Sequence, residues 1–386
     1  MPFATSFELS EEHEQFRTVV REFAQAEIAP YAAEWDARHE FPVDTVRKMG
    51  ELGLFGLPVP EEYGGSGGDL TSLCVAIEEI GRADQSLGLT LEAAVGLGIG
   101  PILASGTREQ KERWLPDLAS GRALAAFGLT EAGVGSDTKA LRTRAELDGD
   151  SWVINGTKQF ITNSGTPLTS LVIVAARTGD DISTFLVPSG TPGLIVEPAY
   201  RKLGWHASDT HPLVFDDCRI PADHLLGERG AGRRQFLATL DDGRIAIAAL
   251  AVGCAQACLD QASEYAKSRE AFGGPIGAKQ GVAFPLADLA VSVDAARLLT
   301  YRAAAARDAG RTANEVKQHA ARAKLFASEA AVDATRAALQ VFGGYGFIEE
   351  YPIARFYRDA KILEIGEGTS EVQRLVIARG LGLPVT

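Results

Sequence analysis

Residue 367 is a glutamate held between two glycines, in the run YRDAKILEIGEGTSEVQRLVIAR over 357–379. A carboxylate can take a proton, and Gly366 and Gly368 leave it unscreened on a backbone free to turn tightly against a ligand. That is how a general base is presented. Ile362, Leu363 and Ile365 before the turn, and Val372, Leu375 and Val376 after it, supply apolar anchors on both sides. The turn opens a helix that Thr369 or Ser370 can cap. By themselves these residues also fit a plain helix start, with Glu371 in the first turn beside the helix dipole.

Three further segments carry residues of the right type. In FGLTEAGVGSD (127–137), Gly128, Gly133 and Gly135 let backbone amides approach a ligand, and Thr130 and Ser136 offer hydroxyls. In SREAFGGPIGAKQ (268–280), the planar donor fork of Arg269 suits anionic oxygens. LDDGR (240–244) places Asp241 and Arg244 one helical turn apart. Taken singly, each has a plainer reading: an interdomain glycine turn, a solvated arginine, a helix start.

The elements that must position these residues follow from periodicity. Helical patterns run from Ser10, which can cap a stripe of Phe16, Val19, Val20 and Phe23, and continue at 43–53, 69–83, 86–104 and 107–119. The loop EEYGGSGGD (61–69) lacks the Gly-Lys-Ser/Thr ending of a phosphate loop and reads as a flexible connection, and GLGIG (96–100) continues a helix. From 122 the period changes to strands: SWVI, KQFIT, SLVIVAAR and ISTFLVPS, with Asp148-Gly149-Asp150 and Asn155-Gly156 as turn signals. After Gly230 long Ala-rich helices return near 232–267, 278–309 and 313–342. The expected fold is mainly α with a central β domain: helical over 1–121, β over 122–230 and barrel-like, and a helical four-helix bundle over 231–386.

A net charge of −13 argues against nucleic acid and anionic membrane as main partners, so any phosphate site must be local. The four cysteines show no metal-ligand or redox spacing; Cys254 and Cys258 read as small buried residues, and a reducing compartment fits. The acidic start MPFATSFELSEEHEQF has no secretion signal, and the apolar stretches near 87–106 and 245–259 read as interrupted or too short to span a bilayer. A cytoplasmic protein without metal is expected.

The whole run QVFGGYGFIEEYPIARFYRDAKILEIGEGTSEVQR (340–374) resembles the C-terminal signature of the acyl-CoA dehydrogenase family, and FGLTEAGVGSD followed by KQFITNSG (158–165) resembles its flavin-contacting motifs. These matches keep the family's order through most of the chain. The resemblance implies FAD, with Phe127, Leu129, Thr130 and Ser136 at flavin or substrate and Phe160, Ile161 and Thr162 on the other side of the ring system. Phe160 stands where many members have tryptophan and Ala132 where most have proline; Val134 replaces a smaller residue. Arg269 would meet the pyrophosphate of FAD in a neighbouring subunit, with Phe272 near adenine and Gln280, Gln340, Gly343, Gly344, Thr369 and Glu371 as further cofactor contacts. That implies an oligomer, expected as a homotetramer.

By the same resemblance Glu367 removes the α-proton of an acyl thioester while the β-hydrogen leaves as hydride to flavin N5, giving the trans-2-enoyl-CoA. Asp241 and Arg244 would hold the coenzyme A part, with Ser136 and Gly368 also at the substrate. Some branched-chain and long-chain relatives carry the glutamate just before the arginine, a place held here by Gly243. No arginine or lysine lies between Arg82 and Arg108, where a decarboxylating relative keeps a buried cation, so a neutral acyl chain is expected. Gly366 replaces a tyrosine of medium-chain relatives, which suggests room at the α,β-carbons. An electron-transfer flavoprotein is the expected acceptor. A flavin oxidase or monooxygenase on the same scaffold, or a non-enzymatic acyl-CoA binder, are the alternative functions.

Overall fold

The computed structural model describes residues 9–385; residues 1–8, part of the segment read as lacking a secretion signal, and 386 lie outside the described residues. Ser10 caps α1 (Glu11–Glu27), its hydroxyl accepting from the His13 N–H at 3.2 Å. α2 (Ala32–Arg38), α3 (Val43–Glu51), α4 (Leu70–Ala83), α5 (Gln85–Glu92), α6 (Gly100–Ser105) and α7 (Arg108–Ala119) complete the first block. Of the apolar stripe on α1, Val20 is fully buried and Val19 is 47% exposed, because the buried face centres on Val20 and Ala24. The helix expected over 86–104 is not uniform: α5 passes into a π-helix, Ala93–Ile99, before α6. The loop at 61–69, expected to be flexible, is packed; a Cβ on Gly65 would lie 2.1 Å from the Val59 carbonyl oxygen.

The strand region forms one seven-stranded sheet. Its strands are β1 (Leu124–Gly128), β2 (Arg144–Asp148), β3 (Ser151–Thr162), β4 (Thr169–Thr178), β5 (Asp181–Pro188), β6 (Leu194–Val196) and β7 (Thr210–Pro221). β5 pairs antiparallel with β4, β1 runs parallel to β4, and β2 meets the end of β4 at Arg144 and Arg177. β3, β7 and β6 continue antiparallel from β2. Gly149 (φ 63°) makes the β2–β3 turn as its sequence implies. Asn155-Gly156 is not a turn. It is a bulge inside β3: the Asn155 amide donates to Asp217 Oδ1 (3.0 Å) and accepts from the Asp217 N–H (2.9 Å) on β7, which holds the strand straight through.

The last block is helical, with α8 (Gly232–Ser268), α9 (Gln280–Asp308), α10 (Ala313–Phe342), α11 (Pro352–Ala360) and α12 (Ser370–Gly380). A short hairpin of β8 (Glu270–Ala271) and β9 (Gly274–Pro275) separates α8 from α9. α8 packs on α10, α9 and α4, and α12 lies along α10 to complete a four-helix bundle. Small residues set this closeness: a Cβ on Gly253 would lie 2.3 Å from the Glu78 carbonyl of α4. The helical stretches Gln85–Ser105 and Gly232–Ser268 are long and apolar enough to cross a bilayer, contrary to the sequence reading. Their most apolar windows are 72% and 78% buried inside the protein, which makes them core helices.

Candidate active site

The polar turn between α11 and α12 is where the chemistry gathers. The left-handed positions are Glu367 (φ 52°) and Gly368 (φ 98°), so the backbone demand falls on the glutamate itself and not on Gly366. A residue with a Cβ disfavours that region by roughly 1–2 kcal/mol, and three side chains hold it there. Arg244 of α8 donates from Nε to the Glu367 carbonyl at 3.3 Å. Lys324 of α10 and Gln373 of α12 both donate to the Gly368 carbonyl at 2.8 Å. Thr369 caps α12, accepting from the Val372 N–H at 3.3 Å, and Glu371 is exposed in its first turn.

Burial lifts the Glu367 carboxyl above its ordinary value, while a hydrogen bond with Glu92 and the positive charges of Arg244 and Lys324 pull it down. Its Oε2 is buried. A Cβ on Gly243 would stand 2.1 Å from that oxygen, so the carboxylate fills the space over Gly243. A side chain at residue 243 would therefore enter the space that the Glu367 carboxyl occupies. Lys324 is fully buried, and burial pushes its amine down to about 8. Asp241 accepts from Arg244 Nη1 at 2.5 Å; burial raises its carboxyl and Arg244 lowers it. Both members of this pair bond within the chain, and their contact with coenzyme A rests on the family resemblance alone.

The residues read as cofactor contacts fall into two groups. In the first, the Gln159 N–H donates to the Thr130 carbonyl at 2.9 Å, which sets the loop after β1 beside the end of β3. Phe127 packs on Phe236 with ring centroids 4.5 Å apart, and Leu129 and Thr130 are half-buried next to it. Buried Lys158 braces this loop, donating to Glu131 Oε1 (2.8 Å) and the Leu129 carbonyl (3.1 Å). Phe160 sits at φ 61° and is 65% exposed, and Thr162 is half-buried. Ile161 differs: its side chain lies in the sheet core, leaving only its backbone for a ligand. Ser136 is exposed, and a Cβ on Gly133 or Gly135 would meet nothing within 4 Å. Val134 is accommodated in the core, its N–H and C=O paired with Glu131 at 3.0 Å each.

The second group surrounds an open groove of about 630 Å³ lined by Tyr265, Arg269, Phe342, Gly343, Gly344 and Tyr345. The Arg269 guanidinium lies 5.6 Å from the Tyr345 ring centroid and is solvent-facing. Phe272 and Gly273 form the tip of the β8–β9 hairpin, both left-handed, and Phe272 is 93% exposed. Gln280 opens α9 and Gln340 lies in the last turn of α10, both exposed. An exposed guanidinium beside Gly343 and Gly344, where an added Cβ would meet nothing within 4 Å, is a donor set that fits the phosphates of a dinucleotide.

Models of the N-terminal, middle and C-terminal domains of acyl-CoA dehydrogenase match residues 10–122, 126–218 and 230–382. The chain belongs to the acyl-CoA dehydrogenase family. A probable acyl-CoA dehydrogenase of Bacillus subtilis strain 168 is 50% identical over 97% of this chain and 99% of its own length. The mitochondrial short-chain specific acyl-CoA dehydrogenase of Mus musculus is 47% identical, over 97% of this chain and 90% of that protein. A chain in the structure of the electron transferring flavoprotein of Acidaminococcus fermentans superposes with a TM-score of 0.95 at 41% identity, covering 98% of this chain and 99% of that one. The protein is therefore an oxidoreductase of a family that works with FAD, and the expected order of helical, β and helical regions is the one observed.

Sequence reasoning missed Glu92, Lys324 and Gln373 within this acyl-CoA dehydrogenase site. The first two left a signal: single charges on otherwise apolar helix faces, Glu92 between Leu91 and Ala93, Lys324 among Ala320, Ala323 and Ala327. A charge is placed on such a face only where something inside the protein uses it.

Proposed function

We propose that this chain oxidises a short, neutral acyl-CoA thioester to its trans-2-enoyl-CoA, with Glu367 as the base that takes the α-proton. FAD, when bound, supplies the two-electron acceptor for the β-hydrogen. The observation that carries the reading is the Glu367 turn: a buried carboxyl with raised proton affinity on a left-handed backbone gripped by Arg244, Lys324 and Gln373. Raised affinity makes the carboxylate a stronger base, and a fixed backbone aims it. The Glu367 N–H is the family's donor to the thioester carbonyl, and a fixed donor there stabilises the developing enolate. Phe127, Leu129, Thr130, Ser136, Phe160 and Thr162 would hold the flavin by side chain and Ile161 by backbone.

The exposed Phe272 and Arg269 support a homotetramer in which this hairpin completes a neighbour's dinucleotide site. Likeness to the short-chain enzyme supports a short acyl chain, and likeness to the chain in the electron transferring flavoprotein structure supports that class of acceptor. A cytoplasmic location is part of the same proposal. Anaerobic addition of acyl-CoAs tests it: wild type should lose its flavin colour, whereas Glu367→Gln should stay yellow and bind acyl-CoA without bleaching. Full bleaching of that variant would remove Glu367 from the mechanism.

A further inference from the structure

Glu92 closes α5 and has no exposed surface at all. Neither of its carboxyl oxygens meets a conventional protein donor among the described residues. What faces it is a second carboxyl, that of Glu367, whose Oε2 is likewise buried without a donor. Two carboxylates repel; such a contact is attractive only when one of the pair carries a proton. The surrounding charges decide which one. Arg244 from α8 and Lys324 from α10 act on Glu367, whereas burial and the Glu367 charge are what Glu92 feels. The remaining charges on packed neighbours are engaged elsewhere: Glu78 with Arg297 and Tyr301, Glu79 with Arg21, Arg82 with Asp260, and Arg355 of α11 with Asp84. The proton therefore belongs on Glu92 and the negative charge on Glu367.

The backbone around Glu92 is shaped for this contact. The π-helix begins at the next residue, and Gly96 lies under the carboxyl, where a Cβ would come within 3.2 Å of Oε1. π-turns recur where a helix must re-aim a functional side chain.

We propose that Glu92 is a positioning residue for the base: as a neutral carboxylic acid it donates its O–H to the Glu367 carboxylate and holds it over Gly243 until an acyl-CoA arrives. This rests on the dehydrogenation reading. In the reaction the substrate α-C–H bond breaks and an O–H bond forms on Glu367; Glu92 keeps its own proton throughout, and Glu367 returns the abstracted proton to water after the product leaves.

Two substitutions separate the hydrogen bond from mere filling of space. Glu92→Gln keeps an N–H donor and removes the titration; Glu92→Leu fills the site and removes the donor. The first readout is infrared spectroscopy of protein carrying ¹³C-labelled glutamate. A protonated glutamic acid should be present at pH 7, vanish in Glu92→Gln and persist in Glu367→Gln. The second is the pH profile of anaerobic flavin reduction by acyl-CoA. Glu92→Gln should keep the wild-type profile, while Glu92→Leu should slow reduction roughly tenfold at pH 7 and move the acid limb up by about one pH unit, the effect of losing a hydrogen bond to a charged acceptor. A Glu92→Leu enzyme with the wild-type profile would overturn the proposal, as would a wild type without the protonated glutamate. If no acyl-CoA reduces the wild-type flavin, the dehydrogenation reading falls, and the infrared arm still decides whether Glu92 carries the proton that holds Glu367.

Discussion

Gly243→Ala is the substitution whose outcome the geometry dictates most sharply. The three heavy atoms nearest to an added Cβ all belong to the Glu367 carboxyl group: Oε2 at 2.1 Å, Cδ at 2.9 Å and Oε1 at 3.2 Å. None of these three atoms belongs to a packed backbone, and alanine in a helix interior favours folding by about 0.5–1 kcal/mol over glycine. The carboxylate must move instead. Reaching an ordinary contact of 3.4 Å requires a displacement of about 1.3 Å. Misplacing a reacting group by about 1 Å costs roughly a hundredfold in rate, about 2.7 kcal/mol of barrier. The variant should therefore melt at or above the wild-type temperature, stay yellow, bind acyl-CoA, and be reduced about a hundredfold more slowly in a single-turnover stopped-flow experiment. Wild-type reduction rates would mean that Glu367 works from a place other than the space over Gly243. A large loss of stability would mean that the packing of α8 has been misread.

Lys324→Met removes a buried cation and one donor to the Gly368 carbonyl, which Gln373 still serves at 2.8 Å; thermal stability should hold or rise while flavin reduction slows by roughly tenfold, and an unchanged rate would show that Gln373 suffices. Gly366→Tyr should narrow the range of acyl chains accepted, branched ones losing most kcat/KM across a substrate panel, since the nearest obstacle to its Cβ is the Ile362 carbonyl at an ordinary 3.5 Å; an unchanged profile removes the idea. Asp359, buried and near Asp84, has its carboxyl pushed up to about 7. Its folded value exceeds the unfolded one of about 3.9, so its contribution is fully present below that value and is lost as pH rises through about 7. Asp359→Asn, which keeps an acceptor for the Trp205 N–H, should flatten that decline in denaturant midpoints measured from pH 4 to 8; an undiminished slope would place its origin elsewhere.

The long helices were legible because their apolar periodicity is local: α8, α9 and α10 lie within two residues of the ranges read from the sequence. The Asn155-Gly156 bulge was not, because what converts a turn signal into a strand is an amide pairing with Asp217, far along the chain on β7.

The site divides along the same line. Glu367 could be picked out because two glycines mark it, yet the glycines suggested that they, and not the glutamate, would take up the unusual backbone. The structure assigns the left-handed conformation to Glu367 and Gly368, leaving Gly366 ordinary. Holding a glutamate there needs donors for the carbonyls that the turn exposes, and these come from α8, α10 and α12, at residues 244, 324 and 373. Their separation in sequence is why none of them announces its role. It also explains the burial of a lysine and an arginine in the bundle: each satisfies a carbonyl of one turn, and the same positive charges favour the ionised form of Glu367 that burial opposes. One arrangement thus sets both the direction and the basicity of the carboxylate, so substitutions at Arg244 or Lys324 should alter the pH dependence of proton removal together with its rate.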